Sequence, residues 1–438
     1  MKRFIAGFSA LLLSVGFVTP AQAVSVKYSV YQKTLATFSS TATTLTSQQK
    51  AQVKAAVDAN PTAEKFICTG IRYYSQPMSV NIMVRKRAKA ACEYAKQLNP
   101  ALSTWYQNKP TQARSYAGKV LLTIKSPLLP ITLDNLDPTR THTEAWSSVR
   151  DAYEASASLS PTISYIVSPG VTEAMLTPER KVLERTARLW SEDFNPTNAR
   201  IIYVKINDPD ERAWLQQQVT QLGGLQYMLP MDIGDWYDES CGALASSGGG
   251  YFTIIQCLGR QISPQNLHII AHEYTHWYQF VNGDIPTNGP NWLTEGGATF
   301  YGITIGFMGA RDEDSSRLSF MGDHYFTFDF LTGQPLGTLR DWVIASSEDE
   351  FVEFMQELEI GGVSAFGAAR QYLFGNLASE ALVASFGHEK MVEFYESFKL
   401  SSNWEANFER IYGLSIEDFY RKLHPYAVAV IKQVKQVK

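Results

Sequence analysis

Little in this sequence of 438 residues is extreme. Its 39 Lys and Arg nearly offset 43 Asp and Glu, leaving a formal net charge of −4. That balance argues against a nucleic-acid footprint and against an acidic tail. There is no internal repeat, which excludes solenoids and propellers. After the first residues, no stretch approaches the ~20 apolar residues of a membrane-spanning helix. Cysteine is scarce: Cys68, Cys92, Cys241 and Cys257 are all there are, and none has C-x-x-C spacing. A cysteine zinc site is thereby disfavoured. Histidine is scarce too, at 7 residues, so a pair of them four positions apart carries information.

What is present describes an ordinary globular chain. An apolar fraction of 45% and an aromatic fraction of 12% suffice for a large core. The length allows two or three domains. Lys2 and Arg3 precede an apolar run from Phe4 to Val18, and Ala21-Gln22-Ala23 follows. A charged start, a short apolar core and an A-x-A site make an export signal over residues 1–23, with cleavage expected after Ala23. The apolar run is too short to span a bilayer comfortably. We therefore expect a secreted or cell-surface protein with no integral membrane segment after cleavage. An even number of cysteines in an exported chain favours disulfides. Four cysteines allow three pairings, and proximity favours Cys68–Cys92 and Cys241–Cys257.

Residues 24–127 read as a small α/β accessory domain. Val24 to Thr46 suggests a strand and a loose segment, and Ser47 to Asn60 a helix. Phe66 to Tyr74 and Val120 to Ile124 read as strands. Asn81 to Leu98 is a basic amphipathic helix closed by Asn99-Pro100. Its Arg85-Lys86-Arg87 run reads as a solvated helix face. The strand FICTGIRY followed by RKRAKAACEYAKQLNP resembles the OmpA-like domain over roughly residues 45–125. The match rests on Gly70 and on Arg87-Ala88-Lys89-Ala90-Ala91. The resemblance implies cell-envelope contact through this domain. However, the family's Asp after the strand glycine, which helps bind the peptidoglycan diaminopimelate group, is replaced here by Ile71. That binding function is therefore not carried over.

The stretch SPLLPITLDNLDPTR holds three prolines and no helical period, and residues 128–140 read as a linker. Residues 141–438 then alternate. Thr143 to Ala155 is a helix and Ile163 to Val167 a strand. Thr177-Pro178 is expected to open the next helix, with Thr177 as N-cap. Ala199 to Lys205 is a strand, and Asp208-Pro209 opens a helix to about Leu222. Met228 to Gly250 reads as loop, Tyr251 to Cys257 as a strand, and Ser263-Pro264 as the cap of the helix that follows. Gly306 to Ser347 looks irregular, with Phe326, Phe328 and Phe330 in an alternating run. Helices then continue toward a basic tail, Val430 to Lys438, that reads as solvated. The expected fold class is α+β, with a mixed α/β lobe followed by a helical lobe.

The chemistry concentrates in LHIIAHEYTHWYQFVNGDIPTNGPNWLTEGGATFY. His272 and His276 are i and i+4 on one helix face and can hold one ion together. Glu273 lies beside them as a candidate general base. With 18 residues between them, His276 is followed by Glu295, one turn into a second helix. A catalytic zinc wants three protein ligands and an open position, and these residues supply them. AHEYTHWYQ with NWLTEGGATFY resembles the gluzincin metallopeptidases, the superfamily of aminopeptidase N and thermolysin. Their pattern is H-E-x-x-H, 18 or 19 residues, then Glu within W-L-x-E-G-x-A. The resemblance implies a two-lobed zincin domain, Zn2+ on His272, His276 and Glu295, Glu273 as base, and a peptide or protein substrate. It also implies an oxyanion donor. Tyr372, in Gln371-Tyr372-Leu373-Phe374-Gly375, resembles the Y-x-x-G element of aminopeptidase N relatives. His324 is the second candidate for that role.

The other histidines carry blander readings. His388 starts a helix and reads as exposed, and His268 as packed or solvated. Thr299, one turn after Glu295, is placed to hydrogen-bond a ligand. Two family elements are missing. No G-x-M-E-N strand anchors a substrate amine, so exopeptidase specificity is unsupported. The N-A-x-Y/F-W substrate strand is absent as well. The run Ser247 to Gly250 with the strand YFTIIQC is a candidate for strand addition by a peptide. The competing readings are a zinc-binding, non-proteolytic surface protein and a cell-envelope binding module.

Overall fold

A computed structural model describes residues 28–157, 161–222, 233–259, 267–310, 317, 318, 321, 339–360 and 370–434. The export signal, Ser263-Pro264, His324 and the Phe326–Phe330 run lie outside these residues. The chain divides into two compact units, Met1–Pro130 and Ile131–Lys438.

The first unit is a four-stranded sheet in the order β1-β4-β2-β3. The strands are β1 (Tyr28–Thr34), β2 (Lys65–Tyr73), β3 (Ser103–Thr111) and β4 (Val120–Pro127). β2 and β3 are parallel and the other neighbours antiparallel. Helix α1 (Ser47–Asp58) starts at a capping box in which Thr46 and Gln49 exchange hydrogen bonds. Helix α2 (Met78–Leu98) makes the crossover from β2 to β3. Phe66, Cys68, Val120, Leu122 and Ile124 line the sheet side of the core, against Val53, Ala88, Ala91 and Ala95 of the helices. A Cys68–Cys92 disulfide joins β2 to α2, the pairing expected from proximity. β3 escaped the sequence reading because it is an edge strand. Its residues are exposed or half-buried throughout, so it carries no run of core side chains.

Arg87 corrects another expectation. It is not part of a solvated face: it is 2% exposed. Its guanidinium donates to Ala42 O (2.7 Å), Gly118 O (2.8 Å) and Ser39 O (2.7 Å), and lies over the Phe38 ring. Five fixed donors let one arginine satisfy several loop carbonyls that would otherwise be buried unpaired.

The second unit is built on a sheet of order β5-β6-β8-β7. β5 (Ile163–Val167), β6 (Ala199–Lys205) and β8 (Phe252–Leu258) run parallel, and β7 (Ala243–Ser246) pairs antiparallel at the edge. β6 is buried along nearly its whole length, because both faces are covered. One face, with Ile201, Tyr203 and Ile254, joins the main helical core. The other packs Ile202, Val204 and Ile255 against Leu215 of α5 (Pro209–Gln221) and Trp236 of α6 (Ile233–Ser240). The expected loop from Met228 to Gly250 thus holds a helix and an edge strand. Both are too short to show a period. A Cys241–Cys257 disulfide pins this region to β8.

Helix α3 (Thr141–Ala155) precedes β5. Helix α4 (Glu173–Trp190) begins a turn before the expected Thr177-Pro178 start, with Thr172 as N-cap and Pro178 inside. Burying Leu176 favours the extra turn. Pro178 then lies inside the helix and withholds an N–H from Ala174 O. After β8 come α7 (His268–Val281), the short α8 (Ile285–Asn288) and α9 (Asn291–Gly306). The stretch expected to be irregular contains α10 (Leu339–Ala345). Then follow α11 (Glu348–Glu357), α12 (Arg370–Phe386), α13 (His388–Ser397), α14 (Trp404–Tyr412) and α15 (Ile416–Gln433). The expected solvated tail is helix as far as Gln433, with Val430, Ile431 and Val434 buried. Deep in this core Arg317 donates to Glu380 (2.8 Å), and Tyr426 hydrogen-bonds the same carboxylate.

Replacing Arg87 by Met leaves the carbonyls of Ser39, Ser40, Ala42 and Gly118 without their donor. It should cost the first unit roughly 3 kcal/mol, read as a lower urea midpoint for the unfolding transition of that unit.

Candidate metal centre

Three helices meet at the centre through glycine. On α9, a Cβ at Gly302 would lie 2.8 Å from His268 O and 3.1 Å from His272 Cβ, so α7 and α9 touch nearly backbone to backbone. At the next crossing, a Cβ on Gly375 would fall 2.0 Å from Trp292 O, and one on Gly296 would fall 2.1 Å from Gly375 Cα. These contacts bring Glu295, beside Gly296, up to the histidine face of α7. They also bring Tyr372, one turn before Gly375 on α12, to the same cleft. Helix α7 is anchored on its other side by Trp277, whose indole N–H donates to Thr253 O of β8 at 3.3 Å. Trp190 stacks on Tyr278 at 4.1 Å and completes the packing.

The resulting geometry is close. His272 Nε2 and His276 Nε2 are 3.0 Å apart, and Glu295 Oε2 lies 3.4 and 3.5 Å from them. Ligand atoms on a tetrahedral ion with bonds of about 2.0–2.1 Å are separated by roughly 3.3 Å. The spacing therefore fits three corners around one small ion. The 3.4 and 3.5 Å separations are long for hydrogen bonds to Glu295 Oε2. His272, His276 and Glu295 thus form a group able to hold a metal ion.

The surrounding bonds set the imidazoles for that task. Gln279 Nε2 donates to Thr294 O (2.9 Å) and Leu293 O (3.3 Å) of α9. Its Oε1 must then face His276 Nδ1, 2.7 Å away, and accept a proton from it. Thr299 Oγ1 donates to Glu295 O (2.7 Å), which leaves its lone pairs to accept from His272 Nδ1 at 3.3 Å. In their neutral form both rings consequently carry hydrogen on Nδ1 and present the Nε2 lone pair inward. Thr299 was anticipated from the sequence and Gln279 was not. The available signal was its position three residues after His276 on the same helix face.

Without metal, charge takes over. Burial opposes the carboxylate form of Glu295, but the positive charge on His276 outweighs it and holds the carboxyl well below its ordinary range. Burial likewise opposes the charged form of His276, yet Glu295 raises its pKa to about 9. Glu273 is pushed up by burial, while the nearby histidine charge and the Ala245 backbone N–H of β7 work against the shift. The cleft in front of these groups is lined by Ala243 and Ala245 of β7, by Phe280, Pro286 and Thr294, and by Tyr372. The Tyr372 ring lies parallel to His272, centroids 5.8 Å apart and planes 13° apart.

The remaining histidines go elsewhere. His388, expected to be exposed, is buried. Its Nδ1 meets the Tyr301 hydroxyl at 2.9 Å, its ring packs near Trp190, and burial lowers its pKa to about 4. The start of α13 is exposed by sequence pattern alone, but it packs here against α9 and α3, where Ser148 accepts the His388 N–H (2.8 Å). His268 is half-buried in the first turn of α7 and outside the metal-binding group. No known family model and no curated protein matches this chain.

Gln279→Leu should leave the fold intact and weaken metal binding about 10–100-fold, measured by competition with a chromophoric chelator. The metal-free protein should also show a stability window in thermal unfolding. The stabilisation from His276 is complete below about pH 6.5 and disappears as pH rises through about 9. That from Glu295 is complete above the ordinary carboxylate range and is lost on acidification. Melting of the chelator-treated protein should therefore peak between these limits, and bound metal should flatten the alkaline fall.

Proposed function

We propose that this protein is a zinc-dependent, extracytoplasmic peptidase with His272, His276 and Glu295 as metal ligands. The observation that carries this is the buried three-ligand group with Glu273 next to it at the floor of a cleft. Two imidazoles and one carboxylate with an open fourth position suit catalytic zinc. When bound, zinc supplies a water acidified to a pKa near ~7 and polarises a carbonyl. Glu273 accepts the proton of the attacking water and returns it to the leaving amine. Burial suits it to both steps, since it raises the carboxylate's proton affinity. Tyr372, on the cleft wall beside His272, is the donor to the developing oxyanion. The sheet with α7 and the helices that follow α9 form the two lobes of this reading. Two disulfides, and no helix among the described residues able to cross a membrane, are compatible with the expected export.

The strand suggested from the sequence for peptide addition is not available for it. β8 is flanked by β6 and β7, so both of its edges are already paired. Gly249 lies in the turn between β7 and β8, with φ +66°. The edge strand is β7, which lines the cleft through Ala243 and Ala245. An extended peptide can add to that edge and lay its scissile bond over the metal group.

The test is a peptide-library digest with zinc-replete protein. Glu273→Gln should retain metal and lose about 10²–10⁴-fold in kcat/KM. Tyr372→Phe should lower kcat about 10²-fold with KM nearly unchanged. A zinc-loaded wild type that cleaves nothing, or cleavage indifferent to Glu273→Gln, sinks the peptidase reading and leaves a metal-binding surface protein.

A further inference from the structure

The near-neutral total charge conceals two units of opposite sign. Residues 28–130 carry 14 Lys and Arg against 3 Asp and Glu, a net of +11. Residues 131–438 carry 22 against 40, a net of −18. The remaining three cations belong to residues 1–27. The acidic side chains of the first unit are already engaged: Asp58 with Lys54, Glu93 with Lys89, and Glu64 with the Tyr28 hydroxyl. Arg87 is the cation consumed inside the unit, which leaves a large exposed excess.

Three of the first unit's eight exposed large apolar side chains lie together beside this charge. Tyr74 (58% exposed) ends the strand side of the β2–α2 turn. Met78 (71%) and Ile82 (54%) follow on the first turns of α2. Spaced four apart, Met78, Ile82 and Lys86 share one helix face, and Arg85 and Lys89 flank it. All three of these cations are exposed. Large apolar side chains are thus held in water at the tip of a cationic stripe. Phosphates alone would satisfy the cations and leave Met78 and Ile82 wet. An interface that offers phosphates and hydrocarbon together satisfies both.

We propose that the N-terminal unit is a peripheral membrane-docking module that binds an anionic phospholipid surface through the start of α2. Tyr74, Met78 and Ile82 enter the headgroup–acyl boundary while Arg85, Lys86 and Lys89 contact headgroup phosphates. Three apolar side chains make a shallow seat, so binding is reversible and weakens as salt screens the cations. The acidic second unit is repelled by the same surface. This inference stands apart from the metal centre and survives if the peptidase reading fails.

The experiment is co-sedimentation of the full chain with phosphatidylcholine vesicles, with and without phosphatidylglycerol, at low and high salt. Binding is expected only to the anionic vesicles. Each cation near such a surface is worth about fivefold in partitioning, so Lys86→Glu with Lys89→Glu should lower binding about 25-fold or more. Met78→Ser with Ile82→Ser, which leaves net charge unchanged, should lower it about tenfold. All four positions are exposed, and unchanged thermal unfolding of each variant verifies that the fold is kept. Failure to bind anionic vesicles at low salt overturns the proposal. So does full binding by the Met78→Ser, Ile82→Ser variant. An oligonucleotide bound more tightly than the vesicles, in a manner indifferent to Met78 and Ile82, would replace it with a nucleic-acid surface.

Discussion

The second unit depends on helices approaching closely enough for His272 and His276 of α7 and Glu295 of α9 to come within reach of one ion. α7 supplies two imidazoles, α9 a carboxylate and α12 a phenol, and each is useful only at hydrogen-bond-scale separations. Side chains normally keep packed helices 8–10 Å apart. Glycine at 302, 296 and 375 removes the side chains at the two crossings, so that backbone meets backbone. The glycines of TEGGATFYG therefore serve positioning. They set the Glu295-to-histidine distance, and with Gly375 they decide that Tyr372 faces the cleft.

That close packing also fixes protonation. Gln279 is held by two α9 carbonyls and can only accept from His276, and Thr299 is committed to Glu295 O and can only accept from His272. The chain that brings the ligands together thus also aims their lone pairs. Pulling three polar groups into a dry site has a cost. It shows in the electrostatics, where burial opposes charge on Glu273, His276 and Glu295 alike. His276 and Glu295 offset part of that cost for each other, and the three ligand atoms are close enough to hold a metal ion.

The two units divide the work along a line of charge. The large acidic unit surrounds the metal group with a two-faced sheet and a helical core. The small basic unit carries its own core, disulfide and inward arginine clamp. A short chain of about 100 residues with so few acidic side chains is poorly suited to self-association, because its surface repels copies of itself. It is well suited to a fixed anionic partner.

Much of this was legible in the sequence, because the information was local. The i, i+4 histidines, the carboxylate one turn into the next helix, the buried strand ARIIYVK and the disulfide pairs all follow from spacing within a few turns of chain. Elements set by long-range contacts were not legible. β3 and β7 are edge strands with little to bury, so no alternation marks them. Arg87 reads as solvated until the loops carrying Ser39, Ala42 and Gly118 fold over it. His388 reads as exposed until α13 packs against α9 and α3. The edge strand facing the metal group, the glutamine that orients His276 and the apolar tip of a basic helix are properties of which surfaces meet. Sequence spacing determined which groups exist to bind an ion. Tertiary packing alone decided which of them face it, because helix contacts and hydrogen-bond partners far apart in the chain set that geometry.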